Sequence, residues 1–239
     1  DIRSAADVLR THYDRTGGAD GYASLEVNPH LATDTEGTIS EAKRLFETLD
    51  RPNVMVKVPA TPQGVPAVHR LIGEGVNVNV TLMFSLDVYR DVRHAYLAGL
   101  EDLAWSDGDL GGTSSVASFF VSRVDTAVDV QIEGRGGEEG LEQLLGKAAI
   151  ANAKLAYRDF VQDFATERFI RLSEKGAWVQ RPLWASTSTK NPAYSDLLYV
   201  ESLIGSDTVN TMPPETLSAL LDHGQVTHTI EEGQKEAEE

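Results

Sequence analysis

The feature that most constrains this chain is an alternation. Six short apolar-patterned runs (22–27, 53–59, 76–82, 116–121, 178–185 and 208–212) are each followed by a stretch with helical spacing of apolar positions. Parallel neighbours in a sheet need a crossover connection, usually a helix, so strand-then-helix repeated in this way points to an α/β fold with a parallel sheet. Helices are expected from Ile2 to the Gly17-Gly18 pair, over Ile39–Leu49 ahead of Pro52, and from Leu86 to Leu100 with Ser85 as cap. Another should start at Thr61-Pro62, a capping residue followed by a first-turn proline, and bury Val65, Val68 and Leu71. Further on we expect helices from Leu141 to about Phe164 (with Leu144, Leu145, Ala148, Leu155 and Val161 available for burial), from Ser195 to Ile204, and from Pro213-Pro214 to Gly224. Gly134 to Gly140 reads as a surface connection, and the acidic tail Glu231–Glu239 as a solvated face.

The central run is Asn53-Val54-Met55-Val56-Lys57-Val58-Pro59. Val54, Val56 and Val58 share one face, and Lys57 lies on the other, near the C-terminal end of the strand. Burial disfavours an ammonium, and a lysine that loses its proton becomes a nucleophile suited to imine formation with a carbonyl. The alternative is a strand-end lysine paired with a carboxylate, and Glu26 at the end of the preceding strand is a ready partner. Glu26 could equally relay protons through a water, as carbinolamine formation and dehydration require.

Asn79 and Thr81 alternate, so both point to the side opposite Val78 and Val80. Buried polar side chains need hydrogen-bond partners, which water or a polyhydroxylated substrate would supply. Ser118 and Phe120 share one face of their strand, and Arg123 follows in the turn, where it would serve either as a surface ion pair or as an anion grip. Ser186 to Lys190 forms a Ser/Thr-rich loop after the Trp184 strand. Glu26, Lys57, Asn79, Thr81, Ser118, Arg123 and Ser186 thus fall near the C-terminal ends of five strands. An open doubly wound sheet and a (β/α)8 TIM barrel both accommodate the count. Convergence of polar groups from so many strand ends favours the barrel, of which six βα units are seen.

With 239 residues the chain can bury a sizeable core, and we expect one α/β domain over residues 1–239. Lys and Arg number 21 against 37 Asp and Glu, a net charge of −16 that argues against nucleic acid and anionic membrane as partners. A phosphate-bearing ligand would have to be held by a few local cations. The absence of cysteine excludes disulfides, thiol catalysis and thiolate metal sites. No apolar run is long enough to span a bilayer and the opening Asp1-Ile2-Arg3-Ser4 carries no signal-peptide pattern, so a soluble, cytoplasmic protein is expected.

Taken together, the segments Ser24–Val27, Val54–Thr61, Asn77–Ser85, Ser115–Asp125 and Arg181–Thr187 resemble the transaldolase family, in the form found in its bacterial and plant-plastid branch. The resemblance runs from near the start to about Gly224. It implies a (β/α)8 barrel enzyme of the pentose phosphate pathway that needs no metal or organic cofactor. Its substrates would be sugar phosphates, and its reaction the transfer of a dihydroxyacetone unit from a ketose phosphate to an aldose phosphate. By matched motif Lys57 would be the Schiff-base lysine, while Glu26 and Thr81 would position a proton-shuttling water. Asn79 and Ser118 would hold hydroxyls, Phe120 would line the pocket, and Arg123 would bind phosphate with help from Ser186. Many relatives carry a second arginine where this chain has Lys190, to which we give that role. The family's first two strands, with an acidic general acid/base and an asparagine, would precede Ala5, and helices after the last strand look short, so the resemblance implies a piece of a longer chain. It leaves open a homodimer and a fusion to phosphoglucose isomerase, as in some bacterial relatives. Two other activities stay open: a Schiff-base aldolase that releases dihydroxyacetone, and a barrel that binds sugar phosphates without turnover.

Overall fold

Val54, Val56 and Val58 are completely buried on one face of strand β2 (Val54–Pro59), and Met55 is buried on the other. A strand covered on both faces is what a parallel sheet flanked by helices produces. The computed structural model describes residues 1–135 and 140–238. These divide into two units, one of Asp1–Met83, Arg90–Ala117 and Asp163–Gln180, the other of Phe84–Tyr89, Ser118–Gln162 and Arg181–Glu239.

The first unit opens with α1 (Ile2–Arg15), β1 (Ala23–Glu26) and α2 (Thr35–Leu49), followed by β2, α3 (Gly64–Gly73) and β3 (Val78–Met83). β2 pairs in parallel with β1 and β3, and the first half of β4 (Ser115–Phe120) follows β3 in strand order. Ala6 of α1 packs with Ala23 and Val54, and Ile2 and Leu49 lean on the same cluster. Helix α3 buries Ala67, Val68, Leu71 and Ile72, the spacing of a single face. Most of α4 (Leu86–Trp105) and all of α7 (Glu167–Ser173) also belong here.

Buried amides secure the N-terminal ends of these strands. Asn53 Nδ2 donates to the carbonyls of Ala6 (2.8 Å) and Gly21 (2.9 Å). Asn77 Nδ2 donates to Pro52 and Val54, while its Oδ1 accepts from Ser114 N–H. Polar residues at this end are therefore structural, and those at the opposite end are the ones available for chemistry.

In the second unit the end of β4 leads into α5 (Ser122–Gly134), then a 3₁₀ turn (Leu141–Leu144) and α6 (Ala148–Phe164). β5 (Arg181–Ala185) pairs in parallel with the two-residue β6 (Val209–Asn210), and α8 (Leu198–Glu201) and α9 (Pro214–His223) complete it. Trp184 is fully buried, edge-on to Phe119 at 6.2 Å between ring centroids, and its Nε1–H donates to Leu203 O at 3.0 Å. Pro213-Pro214 and Gly224 bracket α9 as expected.

Several expectations are corrected. The regular part of the helix expected from Thr61-Pro62 begins at Gly64, and Thr61 caps it as expected, its Oγ1 accepting from Gly64 N–H while donating to Ala32 O. The helix expected from Leu141 starts at Ala148, since Gly146 takes a left-handed backbone, φ +69°. Its buried face is Ala149, Ala153, Ala156, Tyr157 and Phe160, whereas Leu144 and Val161 are exposed. The helix expected over Ser195–Ile204 is only the single turn of α8. Helices α5 and α7 were not anticipated, and the expected Gly134–Gly140 connection falls partly outside the described residues. The described part of the tail after Ile230 is mostly exposed, as expected, and it is anchored just ahead: Ile230 is fully buried, its N–H donates to Ile204 O, and Lys154 Nζ donates to the carbonyls of Thr229 and Glu232.

Gly64 carries a testable consequence. A Cβ there would stand 1.9 Å from Pro59 O, a backbone atom at the end of β2 that cannot swing aside. Gly64→Ala must therefore displace α3 from the strand end, at a cost of about 1–3 kcal/mol or more. Urea unfolding should show a lower midpoint, and an unchanged midpoint would mean that the helix start yields freely.

Candidate functional site

In the first unit, parallel register places Glu26 opposite Lys57 and Lys57 opposite Asn79, with Thr81 two pairs further along, opposite Pro59. Because side chains alternate along a strand, Glu26, Lys57 and Asn79 form a row across three adjacent strands. Lys57 Nζ stands 3.9 Å from Glu26 Oε1, too long for a hydrogen bond and suited to an ion pair or a bridging water. Asn79 Nδ2 donates to Ser24 Oγ at 3.2 Å. Asn79 and Thr81 are buried, at 6% and 1% exposure, while the Lys57 and Glu26 side chains are 31% and 58% exposed.

The sequence left Lys57 between a desolvated nucleophile and a strand-end partner of Glu26, and its side chain is partly exposed beside that carboxylate. Exposure therefore does not choose between the two. What remains is position: among the described residues, Lys57 is the only lysine within a strand.

Directly after Thr81, Leu82 adopts φ +63°, a conformation uncommon for a non-glycine residue, and its side chain is 44% exposed. Such backbone costs on the order of 1–3 kcal/mol and persists only where its surroundings enforce it. Ser186 shows the same feature at φ +58°. Both outliers sit at the C-terminal ends of their strands.

In the second unit, Ser118 is buried and Phe120 half-buried at the end of β4. Arg123 lies in the first turn of α5, not in a turn before it, and its guanidinium covers the Phe120 ring at 4.8 Å. Phe84 packs on Phe120 at 5.1 Å. Val121 and Ser122 N–H donate to the carbonyls of Ala185 and Ser186, and the Ser122 and Ser186 hydroxyls are 2.9 Å apart. Lys190 is exposed, with Nζ 2.5 Å from Ser188 Oγ. Arg123, Ser186 and Lys190 thus belong to one helix start and one following loop.

The sequence reading missed Ser122 and Phe84. Continuing the Ser118, Phe120 alternation by one more step reaches Ser122, so that signal was present. Among the described residues no group of three or more His, Cys, Asp or Glu side chains is arranged to hold a metal ion. No described helix is long and apolar enough to cross a membrane.

Comparison with known proteins gives a consistent result. The sequence model of the Transaldolase/Fructose-6-phosphate aldolase family matches residues 1–239. "Transaldolase 1" of Streptomyces avermitilis is 56% identical over 226 residues, covering 95% of this chain and 60% of that protein. "Transaldolase" of Thiobacillus denitrificans is 52% identical over 237 residues, covering 99% of this chain and 66% of that protein. "Transaldolase" of Thermobifida fusca is also 52% identical over 237 residues, with 64% of its length covered. The chain therefore spans about three-fifths to two-thirds of the length of these curated relatives.

Proposed function

Because the chain belongs to the transaldolase/fructose-6-phosphate aldolase family, we propose that it acts as a transaldolase working through an imine on Lys57. It would move a dihydroxyacetone unit from sedoheptulose 7-phosphate or fructose 6-phosphate to glyceraldehyde 3-phosphate or erythrose 4-phosphate. The observation that carries this reading is the row Glu26–Lys57–Asn79, in which a strand lysine is flanked by a carboxylate and an amide.

Lys57 Nζ attacks the ketose carbonyl carbon, and loss of water gives a protonated imine. The C4 hydroxyl passes its proton to the water that Glu26 contacts and becomes the aldehyde of the departing aldose phosphate, while the imine accepts the electron pair of the breaking C3–C4 bond and a three-carbon enamine stays attached. The proton returns to the new hydroxyl when the acceptor is added. The enamine carbon then attacks the acceptor aldehyde, and hydrolysis frees Lys57. Glu26, 3.9 Å from Nζ, relays protons through a water that Thr81 helps to orient. Asn79 and Ser118 hold hydroxyls of the three-carbon unit, and Phe120 supplies an apolar wall. Arg123 binds phosphate, assisted by Ser186 and Lys190. The scheme uses no metal or organic cofactor. The same reading takes the six parallel strands as part of a (β/α)8 barrel in a cytoplasmic enzyme of the pentose phosphate pathway.

The test is product analysis with fructose 6-phosphate, with and without erythrose 4-phosphate. Sedoheptulose 7-phosphate should form only with the acceptor, and without it the reaction should stall after one equivalent of glyceraldehyde 3-phosphate. Steady release of dihydroxyacetone would make the protein an aldolase, and binding with neither product would make it a binding protein.

Arg123→Ala should raise KM for fructose 6-phosphate about ten- to hundred-fold, since a charge-assisted hydrogen bond contributes about 1.5–3 kcal/mol. Unphosphorylated dihydroxyacetone should be handled as before. Equal losses with both would reject phosphate binding as the role.

A further inference from the structure

Helix α5 buries carboxylates instead of apolar side chains. Asp125 and Asp129 are 1% and 7% exposed and lie one turn apart on the helix that carries Arg123 in its first turn. Asp125 Oδ1 accepts from Ala149 N–H at 2.6 Å, where a negative charge suits the start of α6. Tyr199 lies close enough to bias this carboxylate, although Asp125 Oδ2 has no partner with good hydrogen-bond geometry. Asp129 divides its two oxygens between two segments. Oδ1 accepts from Gly146 N–H at 3.1 Å, and Oδ2 accepts from the Tyr194 hydroxyl at 2.8 Å.

Tyr194 belongs to the segment 186–197 that carries Ser186 and Lys190. Its ring lies against Gly146, where an added Cβ would stand 2.9 Å from the ring carbon bearing the hydroxyl. Gly146 therefore serves two needs, its left-handed backbone and the room for that ring. Burial, and then the Asp129 carboxylate, pushes the Tyr194 hydroxyl up to about 12, so it stays a donor at neutral pH. Within the segment, Tyr194 N–H donates to Asn191 O, and Thr189 Oγ1 donates to Ser195 O. Fixing Tyr194 thus fixes a segment already tied to itself.

Resting on the phosphate-binding role given above to Arg123, Ser186 and Lys190, we propose that Tyr194 and Asp129 are positioning residues: their hydrogen bond latches the 186–197 segment to α5 and so sets Ser186 and Lys190 relative to Arg123. Asp129 stands six residues after Arg123 on the same helix, about 9 Å along its axis. The latch and the anion grip therefore share one rigid element. Neither latch residue touches substrate in this arrangement.

The test compares Tyr194→Phe, which removes only the hydroxyl, and Asp129→Asn with the unaltered protein. Four quantities are read: affinity for inorganic phosphate by calorimetry, KM for fructose 6-phosphate, borohydride trapping with dihydroxyacetone, and hydrogen exchange of residues 186–197. Both variants should exchange faster over that segment, lose about three- to twenty-fold in phosphate affinity, and raise KM by a similar factor. Trapping with unphosphorylated dihydroxyacetone should be unchanged. A variant that exchanges faster or melts earlier but binds phosphate normally would overturn the latch and leave a merely structural bond. So would equal weakening towards phosphorylated and unphosphorylated substrates. Arg123→Ala separates the two levels. If it too leaves phosphate affinity intact, the anion-binding reading falls. If it loses phosphate while Tyr194→Phe does not, only the latch falls.

Discussion

Replacing Lys57 by alanine should abolish the adduct trapped by borohydride with fructose 6-phosphate and reduce turnover by on the order of 10⁴- to 10⁶-fold, the range seen when a covalent catalytic group is removed. Lys57→Arg should fail as completely, since it keeps the charge but offers no amine for an imine. Stability should barely change. The pair with Glu26 is separated by 3.9 Å and partly exposed on both sides, a geometry that contributes about 0–1 kcal/mol. The assignment competes with a plausible rival. Burial lowers the pKa of Lys154, so a search for a depressed ammonium would select it. Its Nζ, however, already donates to the carbonyls of Thr229 (3.1 Å) and Glu232 (2.6 Å), and it projects from a helix that ties down the tail. Position and neighbours therefore outrank the titration argument. Mass spectrometry of the reduced adduct decides: a mass shift on Lys154, Lys147 or Lys190 would overturn the assignment to Lys57.

The two kinds of strand-end residue explain how much could be read from the sequence. β2 was legible because Val54, Val56 and Val58 alternate with residues of another kind, and the same rule put Asn79 with Thr81 and Ser118 with Phe120. These pairs depend only on the two-residue repeat of a strand, which survives any packing. The exposure of Lys57 depends on neighbours far away in sequence, which the two-residue repeat does not report. Helix α5 was invisible for a different reason. Its buried face is Ser122, Asp125 and Asp129, and apolar periodicity cannot detect a helix that buries hydroxyls and carboxylates. In and ahead of α6, apolar periodicity favoured the large aliphatics Leu144 and Val161, both exposed, over the alanines that form the buried stripe. Strand-end position singled out the polar residues and the family resemblance supplied a role for each, but neither revealed what holds them in place.

The largest loss of stability should come from Trp184→Ala. The side chain is fully buried, stands edge-on to Phe119, and satisfies Leu203 O through its indole N–H. Truncation removes the aromatic surface, leaves a cavity, and strips a buried carbonyl of its donor. Aromatic-to-alanine changes in cores cost about 3–5 kcal/mol, against a typical total stability of about 5–15 kcal/mol. Trp184→Phe separates the contributions. It keeps most of the packing but leaves Leu203 O without its donor, a penalty of about 1–3 kcal/mol. Fluorescence gives an independent readout, because the other two tryptophans are exposed, Trp105 at 91% and Trp178 at 37%. The unaltered protein should show a blue-shifted component that Trp184→Phe removes while circular dichroism stays unchanged. The consequence should also reach the anion-binding loop, since Ser186, with its left-handed backbone, lies two residues beyond Trp184 and relies on β5 to hold that conformation. Trp184→Ala should therefore weaken phosphate binding even at temperatures where it remains folded. A wild-type unfolding midpoint in Trp184→Ala would show that the indole is not what holds β5 in place.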